Sequence, residues 1–133
     1  MEKLKILVIE DSKLIRERLT LALSSLKENV ELYLTTKMSE ALICLNTKYP
    51  RVIILDLFLP DGNGIKLLEK VKKESAKTVV IVLTNFPYPQ VKNKCKKLGA
   101  DYFYSKENDF DKVINTVESL VLFQKAAISN NNI

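Results

Sequence analysis

The sequence predicts an α/β fold, a doubly wound, five-stranded parallel sheet with helices on both faces. Strand-like and helix-like segments alternate along the 133 residues, and the connections between them are short. The strongest strand-like segments, Val52–Leu55 and Val79–Leu83, are continuous apolar runs, as in strands that are covered on both faces. Right-handed crossovers then bring the carboxyl ends of the strands to one edge, where such sheets bind ligands.

Each of the five strands has its own signal in the sequence. Leu4–Ile9 is a largely apolar run, whereas Val30–Thr35 alternates weakly and is expected nearer an edge of the sheet. Val52–Leu55 and Val79–Leu83 are unbroken apolar runs, so we expect them at the centre. The short segment Tyr102–Tyr104 is predicted to be the last strand.

Five helical segments fill the intervals between and after these strands. Ser12 can cap the first helix, and two more are predicted at Ser39–Asn46 and from about Ile65 to Glu74. The fourth helix ends at Gly99, a typical C-terminal cap, and the fifth begins after Asp109. Apolar residues with helical spacing define the inward faces: Ile15, Leu19, Ala22, Leu23, Leu26, Ala41, Leu42, Leu45, Leu68, Val71, Val91, Cys95, Leu98, Phe110, Val113, Ile114, Val117 and Val121.

Length and composition predict one domain, residues 1–128, followed by a disordered tail at residues 129–133. The two cysteines, Cys44 and Cys95, show no paired spacing, so we expect buried or half-buried free thiols in a reducing cytosol. No apolar run approaches the roughly 18 residues of a membrane span, and the first residues do not resemble a signal peptide. We therefore expect a cytoplasmic protein.

Histidine is absent from the chain. This absence excludes Ser-His-Asp and Cys-His nucleophiles as well as zinc sites with histidine ligands. Any chemistry must therefore use carboxylates, hydroxyls and lysines.

Five polar residues follow or end predicted strands: Glu10, Asp11, Asp56, Thr84 and Lys106. Polar residues at strand ends can simply cap loops, and for any one of these residues that interpretation would be preferred. Three acids, a hydroxyl and a lysine that the topology brings to one edge favour a shared site instead.

The three acids point to a divalent cation. Two carboxylates about 5 Å apart repel by about 3 kcal/mol at an effective dielectric near 20, so three cannot all stay ionised without compensation. Oxygen ligands with room for water favour Mg²⁺. Asp56 needs no histidine to activate it, because an ordinary carboxylate is ionised at neutral pH and can act as a nucleophile. Lys106 and Thr84 are then suited to bind phosphoryl oxygens.

Taken together, these features resemble the receiver domain of two-component response regulators over nearly the whole chain. The match comprises Glu10-Asp11, the strand that ends at Asp56, the segment Leu59-Pro-Asp-Gly-Asn-Gly64, Thr84 and Lys106. The resemblance implies a flavodoxin-like (βα)₅ fold with strand order 2-1-3-4-5. It also implies a stand-alone signalling protein, like the chemotaxis regulator that consists of a receiver alone.

The resemblance implies a specific chemistry as well. Asp56 would accept a phosphoryl group from the phosphohistidine of a sensor histidine kinase or phosphotransfer protein. Mg²⁺ would be held by Glu10, Asp11, Asp56 and the backbone carbonyl of Phe58. Thr84 and Phe103 would form the switch that responds to phosphorylation. Such a protein is not a conventional enzyme, because it catalyses only its own phosphorylation and slow dephosphorylation.

Three positions depart from the family pattern. Glu107 stands where the family usually has proline, often after a cis bond, so we expect the loop after the last strand to be built differently. Asn85 stands where a small residue is usual, and Phe58 is large. Both flank the phosphorylation pocket in the family, so they bear on the lifetime of the phosphate.

Charge favours other functions only weakly. The net charge is +5, and the fourth helix carries Lys92, Lys94, Lys96 and Lys97. A basic stripe can bind nucleic acid, but no recognition motif accompanies it, so a downstream protein target at the helix 89–98 face is favoured. Phe58 replaces the second acid of Asp-based phosphohydrolases and argues against that class. A degenerate or phosphate-sink receiver and a homodimer remain alternatives.

Overall fold

The computed structural model describes residues 2–131, with side chains described through Ser129. Its main sheet has five parallel strands in the order β2-β1-β3-β4-β5, so the predicted doubly wound topology is confirmed. The weakly alternating strand lies at an edge, as expected. The strands are β1 (Leu4–Ile9), β2 (Val30–Thr35), β3 (Val52–Leu55), β4 (Val79–Thr84) and β5 (Tyr102–Ser105).

The five predicted helices are present, with bounds that differ by a few residues from those expected. They are α1 (Lys13–Ala22), α2 (Met38–Lys48), α3 (Gly64–Glu74), α4 (Pro89–Lys97) and α5 (Phe110–Asn131). Ser12 caps α1 by accepting a hydrogen bond from the backbone N–H of Ile15 at 3.3 Å. A 3₁₀ turn, Ser24–Leu26, continues the apolar stripe of α1 beyond its end. Gly99, at φ 102°, follows α4 in a conformation that favours glycine.

Alternation along the strands divides the core into two layers. On β1, Ile6 and Val8 pack with α1 and α5, whereas Leu7 and Ile9 pack with α2, α3 and α4. Cys44 and Cys95 are buried free thiols in the second layer, as predicted, and burial raises the pKa of both. The core residues of α5 match the predicted stripe, with Phe110, Val113, Val117 and Val121 buried.

Helix α5 is longer than the sequence suggests. It continues through Asn131, three residues into the segment expected to be a disordered tail, and residues 132 and 133 lie outside the described part of the chain. Within residues 2–131, no helix combines the length and apolar character needed to cross a membrane.

The connection from β3 to α3 is hydrogen-bonded to the start of α2. It forms a short antiparallel hairpin in which Phe58–Leu59 pairs with Gly62–Asn63. At its tip the carboxylate of Asp61 accepts hydrogen bonds from the backbone N–H groups of Met38, at 2.6 Å, and Ser39, at 3.1 Å. These N–H groups lower the pKa of Asp61. The loop therefore supplies the cap that the side chain of Lys37, at the N-cap position of α2, does not provide.

We predict that Gly64→Ala will destabilise the protein by about 2 kcal/mol, because the added methyl group would overlap backbone that cannot move aside. A Cβ at this position would lie 2.7 Å from Leu57 Cα and 2.8 Å from the carbonyl oxygen of Asp56. Urea unfolding measures the change.

Gly62→Ala is the matched control, since its Cβ would meet only the flexible end of Met38, 2.6 Å from Cε and 2.9 Å from Sδ. Its cost should be clearly smaller. Equal costs for the two variants would contradict the proposed role of the close backbone approach at Gly64.

Candidate functional site

The five strand-end residues lie together at the carboxyl edge of the main sheet. Glu10 and Asp11 follow β1, Asp56 follows β3, Thr84 is the last residue of β4 and Lys106 follows β5. Asp11 is exposed, whereas the other four are buried. The fold thus brings these five residues to one edge of the sheet, as the sequence predicts.

Lys106 bridges two of the buried acids. Its Nζ lies 2.5 Å from Glu10 Oε1 and 3.2 Å from Asp56 Oδ2, and all three side chains are less than a tenth exposed. Removing three charges from water is costly, and close pairing with good geometry is what offsets that cost. The ammonium group is therefore the internal counter-ion of the site.

Glu10 is held by backbone groups as well as by Lys106. Its Oε2 accepts a hydrogen bond from the N–H of Ser12 at 3.0 Å, and its backbone carbonyl accepts one from Nη1 of Arg16 at 2.9 Å. Burial raises the pKa of Glu10, while Lys106 and the Ser12 N–H act in the opposite direction and the negative charge of Asp56 adds to the increase. The carboxylate is thus fixed in place although its charge is unfavourable there.

Asp56 is positioned by its own strand and by the loop that follows. Its backbone N–H donates to the carbonyl of Ile9 at 3.0 Å, which ties it to the end of β1. Its Oδ1 accepts the backbone N–H of Phe58 at 3.2 Å, and its Oδ2 faces Lys106. Both carboxylate oxygens are therefore oriented by the protein.

The donor set of Glu10, Asp11 and Asp56, which we call the acidic cluster, fits Mg²⁺. One oxygen from each residue lies within 4.8 Å of the others. Three carboxylates against one ammonium group leave an excess of negative charge, and oxygen ligands are those that Mg²⁺ prefers. The hydrogen bond between Phe58 and Asp56 uses the N–H of Phe58 and not its carbonyl oxygen. The backbone carbonyl of Phe58 therefore remains a predicted fourth ligand.

Thr84 is fully buried at the site but bonds to its own loop. Its Oγ1 accepts the backbone N–H of Phe86 at 3.1 Å. Among the described residues, no hydrogen bond joins this hydroxyl to Asp56 or Lys106. The hydroxyl is therefore hydrogen-bonded to its own loop and not to the predicted phosphoacceptor.

Phe103, the other predicted switch residue, is partly buried and packs on the α2, α3 and α4 side of the sheet. Its neighbour Tyr104 packs on the α1 and α5 side, where its hydroxyl lies 2.8 Å from Thr116 Oγ1. Tyr102 stacks on Tyr104 with 5.9 Å between ring centroids. Phe103 and Tyr104 thus lie on opposite faces of the sheet, as alternation along a strand requires, and the switching role of Phe103 stays a prediction.

The turn after β5 contains residues that the sequence did not single out. Ser105 Oγ accepts the N–H groups of Glu107, at 3.2 Å, and Asn108, at 3.3 Å. Asp109 Oδ2 in turn accepts the N–H of Ser105 at 3.0 Å. Glu107 thus uses an N–H that proline lacks, which explains how this loop is built without the family's proline. Serine followed four residues later by aspartate was the available signal, because both residue types favour such turns.

This turn fixes the backbone of Lys106. Its N–H donates to the carbonyl of Thr84 at 2.9 Å, so the lysine continues the pairing of β5 with β4 by one residue. The side chain then reaches across the end of β4 to Asp56 and Glu10. No cis peptide bond occurs in residues 2–131.

The basic residues of α4 do not take part in this site. Lys92, Lys94, Lys96 and Lys97 are all exposed, and within residues 2–131 none of them forms a salt bridge. The buried residue of this helix is Cys95, which faces the sheet. The lysines therefore form an exposed basic surface on α4.

Comparison with known proteins gives one consistent result. Residues 6–118 match the family model described as the response regulator receiver domain. The transcriptional regulatory protein PmrA of Pectobacterium parmentieri is 34% identical over 103 residues, which cover 77% of this chain and 46% of that protein. The virulence transcriptional regulatory protein PhoP of Salmonella choleraesuis is 30% identical over 118 residues, covering 89% and 52%. The chain thus spans about half the length of the curated relatives it matches.

Comparison with solved structures agrees with the match to the family. The signal receiver domain of a DNA-binding response regulator from Colwellia psychrerythraea superposes with a TM-score of 0.83 at 26% identity. The match covers 90% of this chain and 98% of that domain.

We predict that Lys106→Met will lower the free energy of unfolding by about 3 kcal/mol at neutral pH without divalent ions, because it leaves buried carboxylates without a counter-ion. Urea unfolding measures the loss, and added Mg²⁺ should recover part of it. Lys70→Met is the control, since Lys70 forms an exposed pair with Glu74 at 2.6 Å and should cost less than about 1 kcal/mol. Similar losses in both variants would contradict the counter-ion role.

We also predict a pH-dependent effect of Asp109→Asn. The N–H of Ser105 and the Lys112 ammonium hold the pKa of Asp109 below its usual value of 3.8. Its ionised form therefore stabilises the fold above that pH, and the contribution disappears as the pH falls through the lowered pKa. We expect a loss of about 1 kcal/mol at pH 7 that shrinks in acid, measured by urea unfolding across pH.

Asp111→Asn is the matched control for this experiment, since Asp111 is an exposed acid in the first turn of α5, the helix that Asp109 directly precedes. A loss for Asp109→Asn that does not change with pH would show that its charge is irrelevant.

Proposed function

Because the chain belongs to the family of response regulator receiver domains, we propose that it is a signalling switch phosphorylated on Asp56. The donor is the phosphohistidine of a sensor histidine kinase or a phosphotransfer protein. One observation carries the proposal: the buried Asp56 carboxylate contacts Lys106 and shares one cluster with Glu10 and Asp11 at the carboxyl edge of the sheet. An oriented nucleophile beside a cation and a carboxylate cluster suits phosphoryl transfer.

The transfer requires a nucleophile, a leaving group and compensation of charge. An oxygen of Asp56 attacks phosphorus, the bond from phosphorus to the imidazole nitrogen breaks, and the nitrogen keeps the electron pair. Mg²⁺ held by Glu10, Asp11, Asp56 and the carbonyl of Phe58 would neutralise charge on the phosphoryl oxygens. No general base is needed, since an ionised carboxylate attacks directly.

Lys106 is suited to follow the phosphoryl group. Its contact with Asp56 Oδ2, at 3.2 Å, is longer than its contact with Glu10, at 2.5 Å. The ammonium group can therefore turn from Asp56 to a phosphoryl oxygen while Glu10 still holds it. As a compact charge with three donors, lysine can serve both partners.

The output follows from a change at Thr84. Its hydroxyl would leave the N–H of Phe86 and donate to a phosphoryl oxygen, and Phe103 would adjust behind it. A new dianion beside Lys106 can supply a coupling of about 1 to 3 kcal/mol, which is enough to shift two conformations. We propose that the signal then passes in the cytoplasm to a protein partner in trans, at the α4 face, or to a second copy of the chain.

The four exposed lysines of α4 support a second candidate, direct binding of nucleic acid. Such binding would fall steeply with salt, because it depends on release of counter-ions. A mobility-shift titration with duplex DNA at low and at physiological salt separates the two functions. Absence of a shift at low salt removes the nucleic-acid candidate.

We predict that acetyl phosphate with Mg²⁺ will add one phosphoryl group to the protein, detected by intact mass spectrometry. Chelation of Mg²⁺ with EDTA should prevent the addition, because the acidic cluster then lacks the divalent cation that would compensate its charge. Asp56→Asn should abolish it. Asp61→Asn is the control, since this acid lies in the same loop but faces the start of α2 and should leave phosphorylation intact. A phosphate that survives Asp56→Asn would refute the assignment.

A further inference from the structure

Three aromatic rings are in contact on the surface beside the acidic cluster. Phe58 follows the phosphoacceptor by two residues, and Phe86 and Tyr88 lie in the loop between β4 and α4. The rings of Phe58 and Phe86 meet edge to face, with 5.1 Å between centroids and 80° between planes. Phe86 also stacks on Tyr88 at 6.2 Å. About half of each side chain is exposed, so burial in the core does not account for the contact.

The backbones under two of these rings bond to the side chains that perform the proposed reaction. The N–H of Phe58 donates to Asp56 Oδ1 at 3.2 Å, and the N–H of Phe86 donates to Thr84 Oγ1 at 3.1 Å. The ring contact therefore joins the loop of the phosphoacceptor to the loop of the switch hydroxyl. It is the point at which these two loops touch through aromatic side chains.

We propose that the Phe58–Phe86 contact is a latch that holds the Thr84 hydroxyl away from Asp56 before phosphorylation. This role rests on the proposed function, in which Thr84 turns toward the phosphoryl group. When Thr84 turns, the N–H of Phe86 loses its acceptor, and the loop must move to expose that N–H to water or to another acceptor. That movement separates the two rings. Phe58 and Phe86 are thus positioning residues that act through Thr84.

Phe58 can serve as the fixed side of the latch because its loop is fastened at several points. Its strand pairs with Gly62–Asn63 in the hairpin, and Asp61 at the tip is bonded to the start of α2. The loop that carries Phe86 has no comparable pairing, and it contains two prolines, Pro87 and Pro89, that lack backbone N–H donors. The Phe86 loop is therefore the part that moves.

The first test reads Thr84 directly in the unphosphorylated protein. The three-bond couplings from N and from C′ to Cγ2 of Thr84 report the rotamer about its Cα–Cβ bond. We expect one rotamer in the wild type and averaged couplings in Phe58→Ala. Among the described residues, no hydrogen bond joins Phe58 to Thr84. Phe58→Tyr keeps the ring and should restore the wild-type values. Couplings that are unchanged in Phe58→Ala overturn the latch.

The second test measures the initial rate of phosphorylation by acetyl phosphate with Mg²⁺. The free energy of an edge-to-face aromatic pair corresponds to about a fivefold change in an equilibrium constant. Phe58→Ala and Phe86→Ala should therefore each raise the initial rate of phosphorylation by up to about fivefold. The double variant should be no faster than either single one, because both remove the same contact. Rates that stay at the wild-type value, or effects that multiply, overturn the latch.

Phe123→Ala is the control for both tests, since Phe123 is an exposed phenylalanine on α5, away from these loops. It should change neither the couplings nor the rate. If the wild-type protein accepts no phosphoryl group on Asp56, the proposed function fails, and the couplings of Thr84 still decide whether the ring contact restrains the hydroxyl.

Discussion

The pairing of Lys106 with Glu10 and Asp56 is the constraint on which the site depends. Three acids at one edge of a sheet repel one another, and burial makes the charge of Glu10 unfavourable, as its raised pKa shows. A single ammonium group within 3.2 Å of two of them makes the arrangement tolerable. Its compensation is incomplete, because Asp11 adds a third carboxylate to the cluster. In the proposed function, this remaining charge is what a divalent cation and the phosphoryl group would compensate and use.

The strand ends hold the backbones of two central residues of the site. Hydrogen bonds of the strand ladder extend one residue past β3 and β5, so the backbones of Asp56 and Lys106 are held as firmly as the strands themselves. Catalytic geometry is best kept by rigid elements. What the loops add is control, since the partners of Thr84 and of the turn at Ser105 are loop N–H groups, which can change partners without disturbing the core.

Sequence patterns predicted the fold well and placed the five strand-end polar residues at one edge, but they predicted the loop contacts around that edge poorly. Continuous apolar strands and helical stripes have a period, and parallel topology converts five scattered positions into one edge. The cap that Asp61 places on α2, the turn at Ser105 and the contact of Phe58 with Phe86 have no period. The cap and the ring contact depend on which distant N–H group or ring lies nearby once the chain has folded, whereas the turn at Ser105 is local and involves only residues 105–109. The extension of α5 to Asn131 was missed for a local reason, because a run of polar residues resembles a tail.

The hydrogen bonds between Asp61 and the start of α2 link the protein's structure to the order of its synthesis. The carboxylate that caps Met38 is 23 residues further along the chain. As the polypeptide leaves the ribosome, α2 therefore emerges with its first N–H groups uncapped, and its amino terminus is completed only when the hairpin after β3 has been made. The amino terminus of the helix is thus completed by the segment that follows Asp56, which ties the maturation of one layer of the domain to the synthesis of this loop.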